Sequence, residues 1–171
     1  MVTHLQLFLH SLFQPFKLAA YRILPIGKVI QYVFILITVL TIFSFIQFLT
    51  GVSETAVQIK GLQQYVKDIQ WLLYPFALFL LFFTSTVLLF VRISIYAAAG
   101  TVFLKLLKRR GEYRHMWRTT SFAITWPTLL SILFSFFSVS SWVATSINCI
   151  ITIFLLILAS LKYPKTEKTR F

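Results

Sequence analysis

Four long runs of apolar residues, separated by short polar segments, dominate the pattern along the chain. A hydrocarbon core of about 30 Å is crossed by a helix of about 20 apolar residues, each rising about 1.5 Å. By that measure, the chain is predicted to cross the membrane at 29–49, 119–139 and 143–161. Only residues 140–142 separate the last two spans, so these are predicted to form a tight antiparallel hairpin.

The remaining run, residues 71–107, is longer than one span requires. Its only charges are Arg92 and Lys105, and as one helix it would measure about 55 Å. Two spans would need a turn near Arg92, where no Gly or Pro is found. A single crossing would take up the excess length by tilt, by a break near Pro75 or around 84–86, or by a re-entrant or interfacial stretch.

The distribution of cations decides between one and two crossings of this region. With one crossing, 13 of the 16 Lys and Arg residues lie on the cytosolic side, and the outer loop 51–70 keeps only Lys60 and Lys67. The positive-inside rule therefore favours four spans with both termini in the cytoplasm. The predicted fold is an all-α, multi-pass membrane protein with a single membrane domain over 1–171. It has a basic inner loop at 108–118 and a cytoplasmic tail at 162–171.

Composition supports a lipid environment. Hydrophobic residues make up 58% of the chain and charged residues 12%, whereas a soluble domain is nearer half apolar and a quarter charged. The formal charge of +12 would suggest nucleic acid in a soluble protein. Here the cations flank apolar runs, so anionic lipid headgroups are the predicted partner, at about 1 kcal/mol per surface cation, and nucleic acid is not expected.

The N-terminal segment, residues 1–27, has a helical pattern of its own. Apolar residues recur at Leu5, Phe8, Leu9, Leu12 and Phe13, which indicates an amphipathic helix that ends before Pro15. Such a helix suits the plane of the membrane interface, and docking on the helix bundle is the alternative. The segment lacks a basic start and a small-residue cleavage site, so it is not predicted to be a secretory signal peptide.

Two groups of residues are candidates for binding anionic lipid or a partner protein. Arg92 is a charge within a span, which costs about 2.5–3.5 kcal/mol at mid-membrane on insertion scales. It is predicted either to face the bundle interior and contact an anion, or to reach the inner interface beside an interfacial helix over 93–107. The second group interleaves cations with an aromatic ring in the basic inner loop: Lys108, Arg109, Arg110, Arg114, Trp117 and Arg118.

Other residues are predicted to govern helix packing. Small residues after Arg92 can form a seam within the bundle or a homodimer face: Ser94, Ala97, Ala98, Gly100 and Thr101. Pro127 removes the hydrogen bond to the Ala123 carbonyl, so the third span should bend there, with nearby hydroxyl groups satisfying that carbonyl. Asn148 is expected to meet the serines of the third span across the hairpin.

No catalytic site, metal site or cofactor is predicted. The three histidines and Cys149 show no metal-ligand spacing, and no His or acid accompanies the Ser and Thr residues of the spans. The five glycines form no phosphate-binding motif. We therefore expect that the protein is not an enzyme.

Two blocks of residues resemble a known membrane family. The first comprises Ser11-Leu12-Phe13-Gln14-Pro15, Tyr21-Arg22, Ile26-Gly27-Lys28 and Tyr32-Val33-Phe34; the second comprises Lys108-Arg109-Arg110, Tyr113, Trp117-Arg118 and Phe122 to Thr128. Together they resemble a bacterial integral membrane family of unknown function that is common in Gram-positive bacteria. The second block is also distantly similar to the Yip domain. The resemblance implies a bacterial cell membrane, and some relatives are described as accessory to maltodextrin use.

Three functional hypotheses follow. The leading one is a non-enzymatic accessory or scaffold protein that binds other membrane proteins, or itself, and anionic lipid through its basic cytoplasmic face. One alternative is a small transporter or channel subunit that uses Arg92 and the polar hairpin. The other is a lipid-sensing or membrane-shaping protein.

Overall fold

The protein is almost entirely helical in the computed structural model, which describes residues 24–58, 62–137 and 140–164. Five helices follow one another: α1 (Ile26–Gln58), α2 (Leu62–Leu106), α3 (Tyr113–Ala123), α4 (Thr125–Phe136) and α5 (Ser141–Leu161). These ranges contain no β-strand. The predicted interfacial helix near the N-terminus and most of the predicted cytoplasmic tail lie outside the described residues.

Four helical segments are long and apolar enough to cross a membrane. They are Ile26–Glu54, Val66–Leu106, Tyr113–Phe136, which contains α3 and α4, and Ser141–Leu161. The prediction of an all-α fold with four segments long and apolar enough to span a membrane is confirmed, and these segments are compatible with a multi-pass membrane protein.

Helix α2 is continuous over 45 residues, about 68 Å of helix. The predicted break near Pro75 or around 84–86 is wrong, and so is a separate helix over 93–107. Pro75 lies inside the helix, and Thr86 donates its hydroxyl to the Phe82 carbonyl at 2.7 Å, as a hydroxyl does in an intact helix. A proline in a span removes only one backbone hydrogen bond, so it need not end the helix.

The polar segment predicted as an outer loop is helical on both sides of residues 59–61. Helix α1 extends to Gln58 and α2 begins at Leu62. Low hydropathy marks where a helix leaves lipid, whereas Gln, Lys and Glu are good helix formers in water. The helices therefore continue beyond the apolar runs.

The chain folds into two compact units. Unit 2 (Phe34–Leu89) comprises most of α1 and the first part of α2. Within it the ring of Phe45 meets that of Tyr74 edge-on at 6.4 Å. Many large apolar side chains of this unit are exposed, such as Phe79 at 67% and Phe83 at 62%. Exposed aromatic and aliphatic surface of this extent suits contact with lipid.

Unit 1 (Met1–Val33 and Phe90–Phe171) contains the start of α1, the end of α2 and all of α3, α4 and α5. Tyr32 of α1 is 1% exposed, and its hydroxyl hydrogen-bonds Thr125 Oγ1 of α4 at 2.6 Å. Its ring also packs on Phe122 of α3, with 4.7 Å between the ring centroids. A buried tyrosine with a hydroxyl partner thus joins the first helix to the third span.

Helix α2 carries a face of buried residues at Ile93, Ala97, Gly100 and Leu104, and it approaches α3 at Gly100. A Cβ on Gly100 would lie 2.8 Å from Met116 Cγ, so only glycine permits this approach. Of the residues of the predicted seam, Ala97 and Gly100 are buried. Ala98 is exposed, and Ser94 and Thr101 are half-buried at the edges of the face.

The third span is interrupted three residues before Pro127. Helix α3 ends at Ala123, Ile124 caps it, and α4 begins at Thr125. The sequence predicts a bend at Pro127, and the structure has a break between two helices at Ile124. The hydroxyl groups act differently from the prediction. Thr128 Oγ1 donates to the Ile124 carbonyl at 2.7 Å, and Thr125 Oγ1 bonds Tyr32, so neither donates to the Ala123 carbonyl.

Candidate functional site

Five exposed cations cluster where α2 ends, α3 begins and α5 ends, and we name this cluster the basic platform. Its members belong to unit 1 and come from the end of α2, the loop and first turn of α3, and the end of α5: Lys105, Lys108, Arg110, Arg114 and Lys162. Glu112 is the one acidic residue in the described loop, and it pairs with Arg114 at 3.1 Å. Both side chains of that pair are well exposed, so the pair contributes little stability and leaves the platform strongly basic.

The backbone of the basic platform turns sharply at Lys108. Lys108 has a φ of +50°, its N–H donates to the Lys105 carbonyl, and the N–H of Arg109 donates to the Leu104 carbonyl at 2.9 Å. This pair of hydrogen bonds is a Schellman motif, in which glycine usually occupies the left-handed position. A lysine there places its side chain at the helix end at a cost of about 1 kcal/mol in backbone energy.

The loop after Lys108 is fastened to the end of α5. The Arg109 guanidinium donates to the Tyr163 carbonyl at 2.7 Å, and the Arg110 N–H donates to the Pro164 carbonyl at 2.8 Å. A Cβ on Gly111 would lie 2.6 Å from Leu104 Cδ1 and 3.0 Å from the Tyr163 ring. The loop thus lies flat against buried side chains and cannot move without breaking these contacts.

Tyr163 is the residue around which this end of unit 1 is built. It is 1% exposed, and its hydroxyl hydrogen-bonds Thr119 Oγ1 at 2.7 Å and donates to the His115 carbonyl at 3.2 Å. Together with its ring contact to Gly111, these bonds tie α3, the loop and α5 together. Sequence reasoning missed Tyr163, because it lies beyond the last apolar run and its partners are about 45 residues away along the chain.

The other predicted residues of the basic loop, Arg109, Trp117 and Arg118, are partly buried against the rest of unit 1. Trp117 stacks on Phe90 of α2 with 6.2 Å between centroids, and Arg118 is half-buried on α3. Arg109 is also half-buried, through its bond to Tyr163. Of the six loop residues predicted to bind lipid or a partner, Lys108, Arg110 and Arg114 are exposed.

Arg92 lines a cavity of about 410 Å³ in unit 1, between α2, α4 and α5. The cavity is rich in hydroxyl groups from all three helices, and its described lining contains no acid: Arg92, Tyr96, Ile124, Pro127, Thr128, Ser131, Phe134, Ser135, Ser141, Ala144, Thr145, Asn148 and Thr152. The prediction that Asn148 meets the serines of the third span agrees with a bond of 2.7 Å from its Nδ2 to Ser131 Oγ.

The described residues bring no group of three metal-ligating side chains together. Cys149, which the sequence places within a span, is half-buried on α5 and lies near the hydroxyl of Tyr96. The geometry therefore presents two sites that can bind a ligand, both without a reactive group: the basic platform and the cavity at Arg92.

One comparison with known proteins finds a match. A family model described as "Protein of unknown function (DUF1189)" matches residues 53–160, which is more than half of the chain. No curated protein and no solved structure matches. The matched range includes α2, α3, α4 and nearly all of α5. It contains the cavity at Arg92 and the basic platform except Lys162.

Proposed function

The chain belongs to DUF1189, a family of proteins of unknown function, and we propose that it is a non-enzymatic membrane accessory protein. In this role the basic platform binds anionic lipid headgroups and neighbouring membrane proteins. The observation that carries the proposal is the fastening of the platform loop to Tyr163 and Pro164, which holds exposed cations in fixed positions. A preorganised surface loses less conformational entropy when it binds than a mobile loop would.

The charges of the basic platform give a measurable affinity. At about 1 kcal/mol per cation near an anionic surface, neutralising three of them should cost about 3 kcal/mol, or roughly a hundredfold in affinity. Because these charges are exposed, the effect should fall as salt is raised.

The test uses purified protein in neutral detergent, titrated with phosphatidylglycerol or phosphatidylcholine and read by native mass spectrometry. The variant Lys108→Gln/Arg110→Gln/Arg114→Gln should bind phosphatidylglycerol roughly a hundredfold more weakly than the wild type at low salt. Two controls accompany it: Arg110→Lys/Arg114→Lys, which keeps the charge, and Lys67→Gln, which removes a cation of unit 2. Equal binding by the triple variant and the wild type would refute the role of the platform.

The orientation of the basic platform completes the proposal: we place it in the cytoplasm, in the cell membrane of a bacterium, together with both termini. A single cysteine introduced at Glu112, in a Cys149→Ser background, should react with membrane-impermeant maleimide only after the cells are opened. Labelling in intact cells would reverse the orientation.

A partner protein is the second half of this role. Chemical crosslinking in native membranes, followed by purification in mild detergent, should recover another membrane protein or a second copy in fixed stoichiometry. Loss of that partner in the triple platform variant would assign the contact to the platform, and recovery of an unassociated monomer alone would contradict the scaffold role. The similarity to the Yip domain and to accessory proteins of maltodextrin use stays a prediction, and it also implies a role through partner proteins.

A second candidate function is a small transporter or channel subunit, which the cavity at Arg92 favours. Anion flux into liposomes that contain the protein tests it. Flux that Arg92→Ala leaves unchanged would remove this residue from any transport mechanism. Lipid sensing or membrane shaping is a third candidate, and it requires binding that rises with the anionic lipid fraction.

A further inference from the structure

The cavity at Arg92 is separate from the basic platform. Arg92 precedes the end of α2 by 14 residues, about 21 Å of helix, and Asn148 precedes the end of α5 by 13 residues, about 20 Å. The lining instead reaches Ser141, the first residue of α5, beside the hairpin turn. Any ligand of the cavity is therefore reached from the end of unit 1 that lies away from the platform.

The described lining of the cavity offers no acid to balance the charge of Arg92, which is exposed on α2. The four acids of the chain are Glu54, Asp68, Glu112 and Glu167, and the described lining of the cavity contains none of them. An arginine keeps its charge in proteins, and a charge within a span is costly unless it is paired. The described lining supplies no negative charge to Arg92, so a ligand with one anionic group would pair with this one cation.

Asn148 adds a second requirement. Ser131 donates its own hydroxyl hydrogen to the Pro127 carbonyl at 2.9 Å, so it can only accept from Asn148 Nδ2 at 2.7 Å. This direction fixes the orientation of the amide, because the flipped form would place two acceptors together. Asn148 Oδ1 then remains as a buried acceptor with no hydrogen-bond donor in the described part of the chain. A buried acceptor of this kind needs a donor.

We infer that the cavity binds a singly charged phosphate group, which pairs with Arg92, together with a hydroxyl group that donates to Asn148 Oδ1. The volume of about 410 Å³ accommodates a group of this size. Ser131, Thr128 and Thr145 also line the cavity. Each donates its hydroxyl hydrogen to a helix carbonyl, so these oxygens can accept from hydroxyl groups of the ligand and Arg92 is left to donate to the phosphate. A lipid phosphodiester with a glycerol headgroup and a free phosphate ion share this chemistry.

The experiment isolates the cavity from the basic platform by using the variant Lys108→Gln/Arg110→Gln/Arg114→Gln as the background. In one arm, native mass spectrometry counts phosphatidylglycerol molecules retained in neutral detergent. In the other arm, inorganic phosphate is titrated and the melting temperature is measured. A response to phosphatidylglycerol alone identifies a lipid headgroup as the ligand. A response to inorganic phosphate identifies a free anion. Either outcome supports the site.

Three substitutions test the residues of the cavity in that background. Arg92→Gln should weaken the response about tenfold or more, since it removes a charge-assisted hydrogen bond, and Arg92→Lys should weaken it less. Asn148→Asp has nearly the same shape but supplies an internal negative charge, so it should abolish binding. Ala144→Leu fills the cavity and leaves Arg92 in place, and it should also abolish binding.

The inference is overturned if neither probe binds, or if Arg92→Gln, Asn148→Asp and Ala144→Leu all bind within twofold of the background. Monodisperse elution of each variant shows that lost binding is not lost folding. Since the platform is already neutralised, failure here leaves the proposed function standing, and failure of the platform test leaves this site standing.

Discussion

Replacing Tyr163 with phenylalanine removes one hydroxyl and keeps the buried ring against Gly111. The hydroxyl lies 2.7 Å from Thr119 Oγ1 and 3.2 Å from the His115 carbonyl, and Thr119 Oγ1 lies 3.1 Å from the same carbonyl. The two hydroxyl hydrogens satisfy two of these three contacts at a time. In Tyr163→Phe the Thr119 hydroxyl still has an acceptor, so no donor is left buried and unsatisfied. The cost should therefore be that of one net hydrogen bond, about 1 kcal/mol. For a chain of this size, that corresponds to a fall of about 2–4 °C in melting temperature.

A double-mutant cycle measures this interaction directly. Tyr163→Phe, Thr119→Val and the pair are melted in the same detergent, and the coupling between the two sites should be about 1 kcal/mol. The binding of phosphatidylglycerol by the platform should stay within twofold in Tyr163→Phe, because Arg109 bonds the backbone carbonyl of residue 163 and not the side chain. If the effects of the two single variants simply add, the hydrogen bond between the two hydroxyl groups is refuted. If Tyr163→Phe loses lipid binding, the account in which Arg109 holds the loop through the backbone carbonyl of residue 163 is refuted.

Further predictions concern the close approach of helices and the turn of the basic platform. Gly100→Val should lower the free energy of unfolding by about 1–3 kcal/mol, because the buried Met116 already occupies the space, whereas Gly51→Ala should not lower it, since nothing lies within 4 Å. Lys108→Gly should raise stability by about 1 kcal/mol by relieving the left-handed backbone, and should weaken lipid binding by about the same amount. Lys108→Ala should weaken binding equally without the gain in stability; equal melting temperatures for these two variants would contradict the backbone argument.

The four apolar helices and the cluster of cations in the loop 108–118 could be predicted because both depend on local composition. Transfer of a side chain into lipid and attraction to a charged surface are nearly additive along a chain, so runs of apolar residues and clusters of Lys and Arg are sufficient. The ends of α1 and α2 were less predictable. Hydropathy locates the point at which a helix leaves the lipid. It does not locate the end of the helix, because Gln, Glu and Lys also favour helix in water.

Helix packing could be predicted in part. The spacing of small residues indicated that α2 has a close-packed face, but the same spacing fits Ser94 with Ala98 and Ala97 with Thr101. The fit of Gly100 against Met116 decides how α2 is rotated about its axis. In that rotation Ala97 is buried and Ala98 is exposed. Packing depends on the shapes of both surfaces, and one helix alone does not contain that information.

The sequence by itself determined that this protein is helical, has four segments apolar and long enough to cross a membrane, and carries a cluster of cations in the loop 108–118, because each of these properties follows from single side chains and their solvation. The tertiary structure alone decided which cations of that loop are exposed and that Tyr163 holds the loop in place. It also placed Arg92 and Asn148 on one cavity, although 56 positions separate them in the chain. Contacts between distant residues depend on how the helices pack, and no local property of the chain specifies them.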